Sequence, residues 1–149
     1  MERKDILLVE DNADDIILAK RAFQKSNIKN NIIVVRDGAE TLDYLYGRGK
    51  FEGRDINNIP KIILLDLKMP KVHGLEVLKQ IRNDKRTKYI PVIILTSSQD
   101  KKDIAQGYEL GANSYIVKPI DFVKFSEVMQ HIAWYWLTLN EQPLFVRGE

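Results

Sequence analysis

Five residues of this chain have types suited to a divalent cation and a phosphoryl group, and each closely follows a short apolar run. Ile6-Leu7-Leu8-Val9 leads into Glu10 and Asp11, and Ile62-Ile63-Leu64-Leu65 into Asp66. Val92-Ile93-Ile94-Leu95 leads into Thr96, and Tyr115-Ile116-Val117 into Lys118 and Pro119. Three carboxylates, a hydroxyl and an ammonium would share one site if the runs are neighbouring parallel strands. Magnesium is a hard cation that takes one or two carboxylates plus phosphate oxygens and waters. Without it, two carboxylates about 4 Å apart repel by roughly 4 kcal/mol at an effective dielectric near 20. A metal, the Lys118 ammonium or a raised carboxyl pKa must relieve that crowding. An aspartate can also attack a phosphoryl donor and become an acyl phosphate, provided the equatorial oxygens are neutralised and the line of attack is fixed. Asp66 ends the most apolar run, which makes it the nucleophile candidate.

The elements that must position these groups alternate in kind. The pattern predicts strands at 6–9, 32–36, 62–65, 92–96 and 114–117. It predicts helices at about 13–26, 39–46, 74–84, 100–109 and 121–139, with apolar stripes such as Ile16, Ala19 and Phe23. The central runs are continuously apolar, as strands buried on both faces of a parallel sheet require. Asp37-Gly38 opens the second helix, Gly111 closes the fourth and Asp121 can cap the fifth. Five successive βα units predict an α/β fold: a five-stranded parallel sheet with helices on both faces, flavodoxin-like and doubly wound. Such folds bind ligands outside the carboxyl ends of the strands, where the loaded residues fall.

Composition bounds the rest. A chain of 149 residues, 44% hydrophobic and 30% charged, is sized for one ordinary globular domain. A formal charge of +2 is too small to argue for direct nucleic-acid or anionic-membrane binding. The absence of cysteine excludes disulfides and thiolate metal sites and fits a reducing compartment. With no signal-peptide pattern and no run of membrane-spanning length, the expectation is a cytoplasmic protein. Residues 1–140 are read as the domain and 141–149 as a tail, with no effector domain. The Gly47–Pro60 connection is long enough to expect a functional or mobile loop, with Arg48, Lys50 and Arg54 solvated.

Together the motifs resemble a response-regulator receiver domain: LLVEDN (7–12), LLDLKMP (64–70), the glycine of VHG (72–74), ILTSS (94–98) and GANSYIVKP (111–119). They occur in the family's order and cover essentially 5–136. The resemblance implies that Asp66 is phosphorylated by a sensor histidine kinase. It implies Mg²⁺ on Asp11, Asp66 and the Lys68 backbone carbonyl, with Glu10 reaching it through water. Thr96 and Lys118 would contact the phosphoryl group, Tyr115 would be a switch aromatic moving with Thr96, and Lys118–Pro119 would be a cis peptide. The long loop and the aromatic C-terminal helix are similar to those of stand-alone regulators associated with bacterial phytochromes, which implies a phytochrome-type kinase partner. Three features depart from the common pattern. Glu10 stands for the usual aspartate, His73 for the usual Asp or Asn, and Lys68 and Ser98 hold the positions that tune dephosphorylation in the family.

Plainer readings exist for each residue. Glu10-Asp11 could be a solvated helix-opening turn, Asp66 a loop cap, Thr96 a strand residue and Lys118 an exposed loop lysine; all four would have to hold at once. His73 and His131 read as a loop residue and a polar-face residue. A haloacid-dehalogenase-type phosphatase would want a second acid two residues after its nucleophile, where Lys68 stands. A flavodoxin-type flavin carrier would want a phosphate loop rich in Ser, Thr and Gly where EDNADD stands. A phosphate-independent receiver-like interaction module is the remaining alternative. The near all-round apolarity of 121–139 marks Trp134 and Trp136, with Tyr108, as candidates for contact with a second copy or an unknown downstream protein.

Overall fold

A computed structural model of the chain describes residues 5–69 and 71–143. The first four residues, Pro70 of the LLDLKMP motif and tail residues 144–149 lie outside that range. The strands are β1 Ile6–Val9, β2 Ile32–Val35, β3 Ile62–Leu65, β4 Val92–Thr96 and β5 Ser114–Val117. The helices are α1 Ala13–Lys25, α2 Gly38–Tyr46, α3 Gly74–Asn83, α4 Lys101–Glu109 and α5 Phe122–Ile132. All strand pairs are parallel, in the order β2-β1-β3-β4-β5. The expected doubly wound fold is therefore observed.

Alternate residues of each central strand serve opposite layers. Ile6, Leu8, Ile62, Leu64, Ile93 and Leu95 pack under α1 and α5 with Phe23, Phe125, Met129 and Ile132. Leu7, Val9, Ile63, Leu65, Val92 and Ile94 pack on the other side with Tyr44, Leu45, Val77, Leu78 and Ile81. This double burial is why the runs show no polar alternation. Side-chain oxygens of Asn12, Asp37, Asp100 and Asp121 cap the first turns of α1, α2, α4 and α5. His73 Nδ1 caps α3 by accepting from Leu75 N, so it is a helix-start residue.

Gly74 locks α3 against the end of β3. A Cβ there would stand 2.6 Å from the Asp66 carbonyl oxygen and 2.7 Å from the Leu67 Cα. Neither backbone atom can rotate aside. Gly74→Ala is expected to cost about 1–3 kcal/mol in a denaturant titration, because any relief moves Asp66.

Two expectations need correction. The 121–139 segment is not one uniform helix: α5 ends at Ile132 and a wider π-helical coil continues over Ala133–Leu139. Apolar spacing alone does not separate the two windings. The loop cations are not all solvated. Arg54 Nε donates to the Tyr44 carbonyl, its Nη1 donates to the carbonyls of Asp55 and Asn58, and its guanidinium lies 3.9 Å from the Tyr44 ring centroid. The loop is stapled by Arg54 and contains a 3-10 turn at Gly49–Phe51. Arg48 and Lys50 do remain exposed, paired with Asp43 and Glu40.

Candidate functional site

The parallel register carries the loaded residues to one sheet edge. Val9 pairs with Leu65, so Glu10 and Asp66 leave adjacent strands side by side. Glu10 N donates to the Val35 carbonyl and Asp66 N to the Val9 carbonyl. The edge lies where β1 connects to β2 on one side and pairs with β3 on the other, the topological switch of the sheet.

Lys118 organises the site. Its backbone N donates to the Thr96 carbonyl, and its ammonium reaches Glu10 Oε1 at 2.5 Å, Asp15 Oδ2 at 2.9 Å and Asp66 Oδ2 at 3.2 Å. The side chain is 10% exposed, so these are partners with little solvent competition. Burial pulls the ammonium's pKa down. Hydrogen bonds to Glu10 and Asp15 and the charges of Asp66 and Glu10 outweigh it and hold the pKa above the ordinary lysine range. Lys118 therefore stays charged.

Glu10 is buried, and its Oε2 also accepts from Asn12 N at 3.1 Å. Burial raises its carboxyl to about 7, with the Asp66 charge adding to the rise and Lys118 opposing it. Asp66 is buried too, and its Oδ1 accepts from Lys68 N at 3.2 Å. One ligand atom from each of Glu10, Asp11 and Asp66 lies within 4.8 Å of the others. The donors are all carboxylate oxygens, with Asp11 exposed to supply an entry side. That set fits a hard divalent cation that keeps several waters and does not fit a thiophilic one.

Glu10, Asp11, Asp66 and Lys118 thus lie together, and one expectation needs correction. The Lys118–Pro119 bond is trans, not cis. Proline's tertiary amide leaves trans favoured by only about 0.5–1 kcal/mol, so the motif does not fix the isomer. Thr96 and Tyr115 meet through Ser98 rather than directly. Ser98 N donates to Thr96 Oγ1 at 3.4 Å, and Tyr115 Oη donates to the Ser98 carbonyl at 3.0 Å. The Tyr115 ring packs on Gly107 of α4, where an added Cβ would come within 3.3 Å of it. Burial raises the phenol's pKa, so it remains a donor.

Sequence reasoning missed two carboxylates. Asp103 accepts from Ser98 Oγ at 2.6 Å, and Asp15 shares Lys118. Asp15 carried a signal: Asn12-x-x-Asp15 has the spacing of a helix-opening capping box. Of the interface candidates, Trp134 and Tyr108 are exposed while Trp136 packs against the core. Tyr108 Oη accepts from Tyr115 N on the outer edge of β5.

Residues 6–130 match the sequence model of the response regulator receiver domain. The probable methanogenesis regulatory protein FilR2 of Methanothrix harundinacea is 40% identical over 141 residues, 93% of this chain and 86% of its own. Response regulator Rcp1 of Synechocystis is 37% identical over 140 residues, 94% of this chain and 93% of its own. The solved Mn²⁺-bound form of Rcp1 superposes with a TM-score of 0.88 at 35% identity, covering 95% of this chain and 99% of that one. The phosphorylated cyanobacterial phytochrome response regulator RcpA superposes with a TM-score of 0.89 at 36% identity, covering 96% and 100%.

Proposed function

This chain belongs to the response regulator receiver domain family, and from that premise we propose that Asp66 is the phosphoacceptor of a two-component relay. A sensor histidine kinase supplies the phosphoryl group, and Glu10, Asp11, Asp66 and the Lys68 carbonyl would hold Mg²⁺. The observation that carries the reading is the setting of Asp66. It is a buried carboxylate at the sheet's switch, held by the Lys118 ammonium on one oxygen and a backbone N–H on the other.

An Asp66 carboxylate oxygen attacks phosphorus. The new O–P bond forms as the bond to the donor nitrogen or oxygen breaks, and the leaving group keeps the electron pair. When bound, the cation neutralises charge on the phosphoryl oxygens. Lys118, already within 3.2 Å of the Asp66 oxygen, would add a positioned N–H to the same charge. Thr96, fully buried beside the site, offers its hydroxyl to the phosphoryl group and gives up its bond from Ser98 N. Because Ser98 also holds the Tyr115 hydroxyl, that exchange reaches α4 and β5.

We place the output on the α4–β5–α5 surface, where Tyr108, Ile120, Phe122, Val123 and Trp134 are exposed. Either a second copy or a downstream protein would cover it. Lys68 is exposed and stands where a phosphatase of the haloacid-dehalogenase type would need its general acid, so turnover of phosphomonoesters is not expected. A chain without cysteine fits a cytoplasmic setting. Among the described residues, no helix is long and apolar enough to cross a membrane.

Phosphotransfer profiling tests the reading. Histidine kinases charged with labelled ATP, a phytochrome-type kinase among them, are mixed briefly with the protein. At least one kinase is expected to pass its label within seconds and change the protein's sedimentation or partner binding. No transfer from any of them, with none from acetyl phosphate, would sink the reading.

A further inference from the structure

The ammonium of Lys118 has three N–H bonds and three carboxylate neighbours, each from a different element. Glu10 follows β1, Asp66 follows β3 and Asp15 sits in the first turn of α1. Two of these are also in the carboxylate group suited to a cation, and Asp66 is the oxygen that would carry phosphate. Asp15 belongs to neither set. It is the one anchor of Lys118 that metal and phosphoryl group leave unclaimed.

Asp15 is free for this task because of an exchange of hydrogen bonds at the helix start. An acid at this position of a capping box normally reaches back to the cap residue's own N–H. Here Asn12 N is taken by Glu10 Oε2 at 3.1 Å, while Asn12 Oδ1 accepts from Asp15 N at 3.0 Å. The helix is capped without the Asp15 carboxylate, which turns to Lys118 instead.

We propose that Asp15 is a positioning residue for phosphoryl transfer to Asp66, acting through Lys118. Together with Glu10 it holds two N–H bonds of the ammonium so that the third points at the Asp66 oxygen. This inference rests on the phosphoacceptor reading above. Once a cation draws on Glu10 and Asp66, Asp15 is the anchor that still fixes the ammonium beside the Asp66 oxygen.

The test is the rate of labelling by acetyl phosphate at saturating Mg²⁺, measured as a double-mutant cycle. Asp15→Ala is expected to slow labelling about tenfold through lost orientation. Asp15→Asn, whose amide oxygen still accepts one hydrogen bond, should recover most of that rate. Asp15→Ser should match the alanine variant, since its hydroxyl is too short to reach Lys118. In a Lys118→Ala background, Asp15→Ala should change the rate less than twofold, because its only route of action is gone. Melting midpoints check that the variants fold, which the intact Asn12 cap leads us to expect. If Lys118→Ala labels too slowly to follow, the asparagine rescue decides alone. An Asp15→Ala protein at the wild-type rate, or one losing the same factor in both backgrounds, overturns the inference and leaves the phosphoacceptor reading standing. A wild-type protein that takes no label overturns both.

Discussion

Asp66→Asn is expected to reduce phosphoryl uptake from acetyl phosphate and Mg²⁺ to the assay floor. Asparagine keeps the shape of the side chain, and its amide oxygen can still accept from Lys68 N. It lacks the anionic oxygen that attacks phosphorus, and the two other carboxylates on Lys118 are already engaged. Glu10 is tied to Lys118 and Asn12 N, and Asp15 to Lys118. The loss should come from chemistry and not from unfolding. Asp66 raises the carboxyl pKa of Glu10 by charge repulsion, so its neutralisation relieves crowding in the metal-free protein. Intact-mass spectrometry gives the uptake, and a thermal melt in chelator should place the variant no lower than wild type. Labelling of the variant at wild-type stoichiometry would remove Asp66 from its role.

Magnesium should stabilise the protein, and more so at pH 8 than at pH 6. Glu10 sets the difference. Its carboxyl moves from 4.5 to about 7 on folding, chiefly through burial. Between those values the folded state binds more protons than the unfolded one, so this group's contribution to stability falls as pH rises through the window. Above it, the folded protein carries the full cost of a buried carboxylate beside Asp66. A cation reverses that cost but must first find Glu10 deprotonated, so metal affinity rises over the same range. At a hundredfold excess over Kd the gain is about 2.7 kcal/mol, or roughly 5–10 °C in Tm for a chain of this size. Melts with Mg²⁺ and with chelator at the two pH values measure it. Glu10→Gln should flatten the metal-free slope between them. An equal Mg²⁺ shift at both pH values would show that Glu10 does not face the ion.

The legible and illegible parts of the site differ in range. Ile62-Ile63-Leu64-Leu65 could be read as a doubly buried strand because burial acts on each residue where it stands, and Asp66 followed. Helix caps such as Asp37 and Asp121 were equally local. Arg54 was not legible. Whether a loop arginine is solvated depends on Tyr44, ten residues earlier in sequence and facing it only in the fold. Asp15 failed for the same reason: its spacing to Asn12 reads as a cap, and only Lys118, 103 residues away, shows that the carboxylate is used elsewhere. The isomer of Lys118–Pro119 escaped because an X-Pro bond leaves the two states within about 0.5–1 kcal/mol, and the π-helical widening after Ile132 because apolar spacing does not separate the two windings.

Chemical trapping identifies the residue that carries the phosphoryl group. The protein is charged with acetyl phosphate and Mg²⁺, reduced with borohydride, digested and sequenced by mass spectrometry. Reduction converts an aspartyl phosphate to homoserine at the residue that carried it. Homoserine is expected at position 66 and at no other aspartate. Conversion at Asp11 or Asp15, or a label that survives reduction on a histidine or serine, would contradict that expectation.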